Sequence, residues 1–400
     1  MFKKFAYAAA LAALGGTAAQ ADLSGDAVKI GVLTDMAGVY ADLSGEGSVV
    51  AANMAVEDFG GSVLGKPIEI LSADHQNKAD IAAAKAREWI DTEGVDMITD
   101  LVTSSVALAV QEIGREKKTV IMVVGAATSR LTGADCSPYG FHWAYDTYSL
   151  ANGTGTAVVK NGGDTWFFIT ADYAFGHSLE SDVSKIVEAN GGQVLGSIRH
   201  PFPSTDFASY LLQAQASGAK IIGLANAGAD TINSIKQAAD FGVVEGGQNL
   251  AGLLMFITDV HALGLNAAQG LFMTTGWYWD LNDETRAWAK RFEEETGQKP
   301  TMVQVGVYST VLNYLKAVKE AGTDDSDKVV AVLKGMEIDD VFAHGGMIYE
   351  NGRMAHDMYL AKVKKPSESE GAWDYLEIVR TIPGAEAYQK PEESGCPLVK

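Results

Sequence analysis

The sequence predicts an α/β protein of two similar lobes, each a parallel sheet flanked by helices. Short runs that are apolar on both faces, such as "VKIGVLTD" and "TVIMVVGAAT", alternate with amphipathic stretches of helical spacing. That is the pattern of strands buried in a parallel sheet between helix layers. The alternation breaks at "HWAYDTYSLANGTG" and then begins again. Residues 22–145 with 279–345 are therefore expected in a first lobe, and residues 146–278 with 346–400 in a second.

In the first lobe the strand "VKIGVLTD" is followed by the helix "EGSVVAANMAVEDFGG", the strand "KPIEILSAD" and the helix "KADIAAAKAREWIDTEG". The strand "VDMITDLV" leads into a helix that begins at Ser104 and Ser105, and "TVIMVVGAAT" is the fourth strand. The second lobe repeats the scheme through "DTWFFITAD", "QVLGSIRH", "AKIIGLANAG", "NLAGLLMF" and "GLFMTTGWYW", with helices between the earlier of these. Three helices then follow without a strand, "NDETRAWAKRFEEETG", "TMVQVGVYSTVLNYLKAVKEAG" and "DSDKVVAVLKGM". They need a sheet to pack on, and the first lobe is the expected host. The last stretch, "GGMIYENGRMAHDMYLAKVKK" and "WDYLEIVRTI", reads as antiparallel strands with a turn at Asn351-Gly352.

The beginning of the chain has the layout of a secretory signal peptide. Lys3 and Lys4 form a basic region, Phe5 to Leu14 an apolar one, and Ala19-Gln20-Ala21 a small-residue cleavage site. The apolar run is much shorter than the roughly 20 residues of a membrane span. Residues 1–21 are thus expected to be removed, leaving 379 of the 400 residues in an exported, periplasmic protein. Losing the two lysines takes the formal charge from −20 to −22, which argues against nucleic acid or an anionic membrane surface as partner. The two cysteines, Cys136 and Cys396, are expected to pair, because an exported protein sits where disulfides persist and "EESGCPLVK" offers nothing apolar to bury a free thiol.

Several motifs that carry other chemistries fail on inspection. "GGSVLGKP" resembles a phosphate loop, but Pro67 stands where the magnesium-binding hydroxyl belongs and the element order is reversed. "GEGSVV" supplies two glycines of a dinucleotide fingerprint, with Val50 in place of the third. A secreted oxidoreductase remains the alternative that this fragment supports. There is no G-x-S-x-G elbow, and the seven histidines show no metal-ligand spacing. The expectation is a protein that is not an enzyme and holds no metal or cofactor.

In parallel α/β sheets ligands bind beyond the C-terminal strand ends. The serine pair and "ANAG", with Asn226, lie at such ends, so a cleft between the lobes is the expected site. Serines at a helix start either cap it or, with the free N–H groups of the first turn, hold an anion.

The segments "VKIGVLTDMAGVYADLSGEGSVVAANMAVEDF", "TSSVALAV", "VVGAATSRLTG" and "ITADYAFGHS" resemble the periplasmic solute-binding proteins of the leucine/isoleucine/valine-binding type. The likeness extends over nearly the whole mature chain. It implies the type I periplasmic binding fold and delivery of a small ligand to an inner-membrane ABC permease, for which a monomer suffices. It also implies that Ser104, Ser105, Ala126, Ala127 and Thr128 surround a ligand carboxylate, with Tyr40 and Tyr173 beside it. One departure from the resemblance matters. Amino-acid-binding members carry an acid for the ligand ammonium near the strand that here reads "LAGLLMFITDVH", where Phe256, Ile257 and Thr258 stand and Asp259 is the one nearby acid. Burying an ammonium unpaired costs on the order of several kcal/mol, and Asp259 has a simpler role as a helix cap. An aromatic or hydrophobic acid, such as a benzoate or phenylpropanoid, is therefore the expected ligand. A branched-chain or other apolar amino acid is the alternative, with Asp259 as counter-charge. Trp277, Tyr278 and Trp279 supply aromatic surface either to the ligand or to packing at the hinge, and Trp277 is taken as the ligand-facing one. Phe175 and Phe202 extend the aromatic walls, whereas "FHWAYDTY" is assigned chiefly to the hinge.

Overall fold

The computed structural model describes residues 23–399, so the expected leader, residues 1–21, lies outside the described residues. The first sheet is built from β1 (Val28–Thr34), β2 (Ser62–Val63), β3 (Lys66–Asp74), β4 (Met97–Asp100), β5 (Val120–Val123) and β6 (Gly140–His142), in the order β2-β3-β1-β4-β5-β6. All neighbours are parallel except β2 against β3. Helices α1 (Gly45–Phe59), α2 (Ala79–Glu88) and α3 (Ser104–Lys117) make the crossovers. β1, β4 and β5 are almost wholly buried on both faces, which is why their sequences read as unbroken apolar runs rather than alternating ones.

The second lobe opens with α4 (Thr147–Leu150) and α5 (Thr156–Lys160) and continues through β7 (Thr165–Ala171), α6 (Ala174–Ala189), β8 (Gln193–His200), α7 (Ala208–Ala216), β9 (Ile221–Ala225), α8 (Ala229–Asp240) and β10 (Asn249–Gly252). Its sheet is parallel, in the order β10-β9-β7-β8. After the short helices α9 (Ile257–Leu263) and α10 (Leu265–Ala268) comes β11 (Phe272–Thr275). The chain then returns through α11 (Asp283–Thr296), α12 (Met302–Ala321) and α13 (Ser326–Leu333). α11 packs on α1 and α13 on α12, while α12 is buried along most of its length and packs on α1 and β4. Its start is fixed by Thr301, whose hydroxyl accepts the amides of Val303 and Gln304 while the Gln304 side chain takes the Thr301 amide. Gly47 of α1 meets it there. A Cβ at Gly47 would lie 2.3 Å from Gln304 Nε2, so this remnant of a glycine motif serves helix packing.

The chain closes with a small antiparallel sheet, β12 (Glu337–Ile338), β13 (Gly346–Ile348) and β14 (Met354–Ala355), and with β15 (Met358–Val363) and β16 (Leu376–Ile382), which pair antiparallel beside β11; the short helix α14 (Gly384–Ala387) follows. The Asn351-Gly352 turn joins β13 to β14. A bridge between His142 and Arg353 fastens this hairpin to the edge of the first sheet. Residues 346–355 therefore pack with the first lobe, whereas the boundary read from the sequence assigned them to the second. The reason is that β13 pairs with β12, which precedes that boundary. The tail also departs from that assignment, because Cys396 is disulfide-bonded to Cys136 of the first lobe, Cα to Cα 5.7 Å.

Three chain crossings between the lobes touch one another. The Arg353 guanidinium is buried and donates to the carbonyls of Trp143, Tyr145 (2.9 Å) and Met354 (3.0 Å). His356 Nε2 lies 2.8 Å from the Ala144 carbonyl. Trp277, in the remaining crossing, donates its indole N–H to Val341 at 2.9 Å.

Candidate functional site

The loops that leave the C-terminal ends of β1, β4 and β5 face those that leave β7, β9 and β10. Between them lies a narrow, largely filled cavity of about 10 Å³. The first lobe lines it with Tyr40, Leu43, Val102, Ser104, Gly125 and Ala127, the second with Tyr173, Phe175, Ala227, Leu254 and Phe256, and the first crossing with Tyr145. No Asp, Glu, Lys, Arg or His is among these lining residues.

Ser104 occupies the first turn of α3 and is fully buried. The residue at the cap position is Thr103, whose hydroxyl goes to Asn77 rather than to the helix, so neither serine is the cap. The α3 ladder begins with the Ala107 amide on Thr103. The amides of Ser104 and Ser105 thus belong to the first turn, where helix geometry provides no acceptor. The Ser104 hydroxyl accepts the Thr128 amide at 3.2 Å, which ties the loop after β5 to the start of α3. This corner presents a hydroxyl, helix-start amides and the positive end of the helix dipole together, a combination suited to a carboxylate.

The opposite side is aromatic. Phe202 stacks between Tyr40 and Tyr173, with ring centroids 5.5 and 4.3 Å away, and Phe256 meets Tyr145 edge-on at 6.1 Å. The Tyr40 and Tyr173 hydroxyls are 2.5 Å apart across the cleft. Tyr145 donates its hydroxyl to the Gly125 carbonyl at 2.5 Å. Burial holds the phenols of Tyr40, Tyr145 and Tyr173 well above the usual tyrosine range, so they act as neutral donors. Further hydrogen bonds close the lobes nearby, Thr128 with Ser178 at 2.6 Å and Ser129 with Asp182 at 2.9 Å.

Of the residues singled out in the sequence, Tyr40, Ser104, Ala127, Tyr173 and Phe256 come together on the cavity. Ser105 is half-buried in the turn beside it. Thr128 is fully buried, its hydroxyl turned to Ser178 across the cleft. Ala126 instead packs with Leu33 and Ile98 on another face of the first sheet. Two further expectations need correction. Asn226 turns its amide into a network with His200, Thr231 and Ser234, because the buried His200 ring needs a donor for Nε2 once Nδ1 is paired with Pro201. Trp277 is held away by its bond to Val341 and its edge contact with Trp288, while Tyr278 and Trp279 both donate to the Trp373 carbonyl. Tyr145 is the lining residue that the sequence reading placed in the hinge. It is in a crossing and in the cavity wall at once.

Asp259 behaves as a cap. Its carboxylate accepts the Phe256 amide at 2.9 Å, it is 3 % exposed, and burial pushes its pKa up to about 7. It is the Phe256 ring, not this acid, that reaches the cavity. Among the described residues no cluster of His, Cys, Asp or Glu is placed to hold a metal, and no helix is long and apolar enough to cross a membrane.

Residues 27–371 match the model of the periplasmic binding protein family. This chain belongs to that family. The structure is similar to that of a periplasmic binding protein from Burkholderia mallei, 55 % identical with TM-score 0.92, covering 94 % of this chain and 100 % of the other. It is also similar to a branched-chain amino acid ABC transporter periplasmic ligand-binding protein from Burkholderia xenovorans, 42 % identical with TM-score 0.83, covering 93 % and 99 %. A solute-binding protein of an ABC transporter from Rhodopseudomonas palustris HaA2, solved with p-hydroxybenzoic acid, is 26 % identical with TM-score 0.80, covering 90 % and 97 %. The type I periplasmic binding fold and the leucine/isoleucine/valine-binding relationship expected from the sequence therefore stand.

Proposed function

We propose that this periplasmic binding protein captures a small aromatic or hydrophobic carboxylate between its lobes and delivers it to the membrane permease of an ABC importer. Residues 1–21 would direct its export to the periplasm. The observation that carries the ligand class is the composition of the cavity wall. Five aromatic rings and one buried serine line it, without an acid to pair an ammonium. A carboxylate would be held by the Ser104 hydroxyl and the amides of the first turn of α3. The ring would rest against Tyr40, Tyr145, Tyr173, Phe175 and Phe256, where flat surfaces match its faces and edges. A relative solved with p-hydroxybenzoic acid supports this class. The branched-chain amino acid named for another relative would need a counter-charge that Asp259, turned to the Phe256 amide, does not supply.

Thermal shift of the mature protein against aromatic carboxylates and against apolar amino acids tests the reading. A ligand that binds only the folded state at about 100 times its Kd adds about 2.7 kcal/mol. A shift with benzoate or hydroxybenzoates alone is the expected result. A shift with leucine or valine alone would replace the aromatic acid by an amino acid.

A further inference from the structure

Behind the carboxylate corner lies a buried acid that the reading above does not use. Asp100 ends β4 and is fully buried, with φ +74°, and Leu101 follows at φ +55°. This is a left-handed pair that residues with side chains seldom adopt. The Asp100 carbonyl takes the amides of Val124 at 3.0 Å and Gly125 at 3.1 Å, so the kinked backbone joins the turn before Ser104 to the end of β5. Of its carboxyl oxygens, Oδ2 accepts the Ser44 hydroxyl at 2.6 Å and Oδ1 has no partner. Oδ1 lies directly behind the cavity wall. A Cβ on Gly125, which lines the cavity, would come within 2.9 Å of it.

No cation faces this carboxyl. β1 and the loop after it bring Thr34 and Asp35, and the start of α1 brings Ser44 and Ser48. α12 reaches the corner with neutral Gln304, bonded to the Ser44 carbonyl at 3.2 Å. The crossing brings Tyr145, whose proton is committed to Gly125. Asp35 is itself satisfied by Asn77 and the amides of Gly38 and Tyr40. His75, near Asp35, is held down to about 4 by burial and stays neutral. Burial raises Asp100 to about 6, even before any second anion arrives.

An anion bound at Ser104 makes the charged form of a nearby buried carboxyl still less favourable. Linkage is reciprocal, so protonation of that carboxyl strengthens anion binding by the same factor. We infer that the receptor takes up its carboxylate together with one proton, which comes to rest on Asp100 Oδ1 behind Gly125. This rests on the carboxylate reading above and makes capture tighter in acidic surroundings.

The test is calorimetric titration with benzoate at about pH 5.5 and about pH 7.5, in buffers of different ionisation enthalpy, for the wild type, Asp100→Asn and Asp100→Gly. Glycine suits the left-handed backbone and provides a folded variant if asparagine does not. The wild type is expected to bind about ten-fold tighter at the lower pH, with net proton uptake at the higher pH. Both variants should bind with one affinity and no proton uptake. A pH-independent Kd in the wild type, or a pH dependence that survives in the variants, overturns the inference and leaves the carboxylate reading intact. Failure of benzoate and the hydroxybenzoates to bind at either pH overturns both. So does leucine binding that weakens in Asp100→Asn, since Asp100 would then be a charged partner for an ammonium.

Discussion

Two groups of aromatic side chains stand near the cleft, and they do different things. Tyr40, Tyr173 and Phe256 present rings to the cavity. Trp277, Tyr278 and Trp279 stand at the end of β11, yet each donates its polar hydrogen to a main-chain carbonyl of a neighbouring segment. The difference lies in where the N–H or O–H goes. A ring pinned through its donor to an adjacent backbone becomes part of the joint between the lobes. In the cavity group the hydroxyls of Tyr40 and Tyr173 meet each other across the cleft, and both rings line the cavity while Phe202 stacks on one face of each. Aromatic residues at strand ends are therefore not a uniform signal of a binding pocket.

The largest expected effect separates the two groups outright. Trp277→Ala should cost about 3–5 kcal/mol of stability, read by urea denaturation, while benzoate affinity of the folded fraction stays within about two-fold of the wild type. Phe256→Ala, which also removes a buried ring, should in addition lower benzoate affinity of the folded fraction by about 1.5–3 kcal/mol for the lost ring contact. If Trp277→Ala abolished binding in fully folded protein, the distinction between hinge and cavity aromatics would collapse. Ser104→Ala tests the polar corner against the aromatic wall. Removing a hydrogen bond to a charged group should cost about 1.5–3 kcal/mol of benzoate binding, with little loss for an uncharged ring compound of the same shape. Tyr173→Phe keeps the ring and removes only the bond to Tyr40, so its effect on affinity should be about 0.5–1.5 kcal/mol.

A different kind of effect, on stability against pH, concerns Asp259. Burial raises its pKa in the fold to about 7, above the value of about 3.9 expected in the unfolded chain. Between those values the folded state holds a proton that the unfolded state releases, so its contribution to stability falls as pH rises from about 4 to about 7. Asp259→Asn retains an acceptor for the Phe256 amide and removes the titration. Its melting temperature should gain on that of the wild type between about pH 5 and about pH 8. An unchanged difference would mean that burial does not raise this carboxyl in the folded state.

The alternation of buried strands and helices made the two sheets legible, and the strand ends pointed to the cleft that holds the cavity. Ser104 was accessible to that logic because it opens the helix that follows a strand of the first sheet, whereas Tyr40 came from the family resemblance. Tyr145 was not accessible, because a residue in a crossing segment reads as hinge, while its ring is held at the cavity by the bond of its hydroxyl to the Gly125 carbonyl and by its edge contact with Phe256. Asn226 had the right position and the wrong orientation. The buried His200 beside it needed a donor, a demand that arises from β8 and is invisible in "ANAG". Asp100 lacks any sequence signature, since neither its left-handed backbone nor its unpaired oxygen follows from "MITDLV".

The bond between Cys136 and Cys396 has a consequence for the order of assembly. Its second cysteine lies 260 residues beyond the first, after the last strand of both lobes among the described residues. No nascent intermediate that lacks the final segment can close it, and such bonds form in oxidising compartments. The linkage is thus a chemical record of arrival, written once the chain has been handed across the membrane through to its tail.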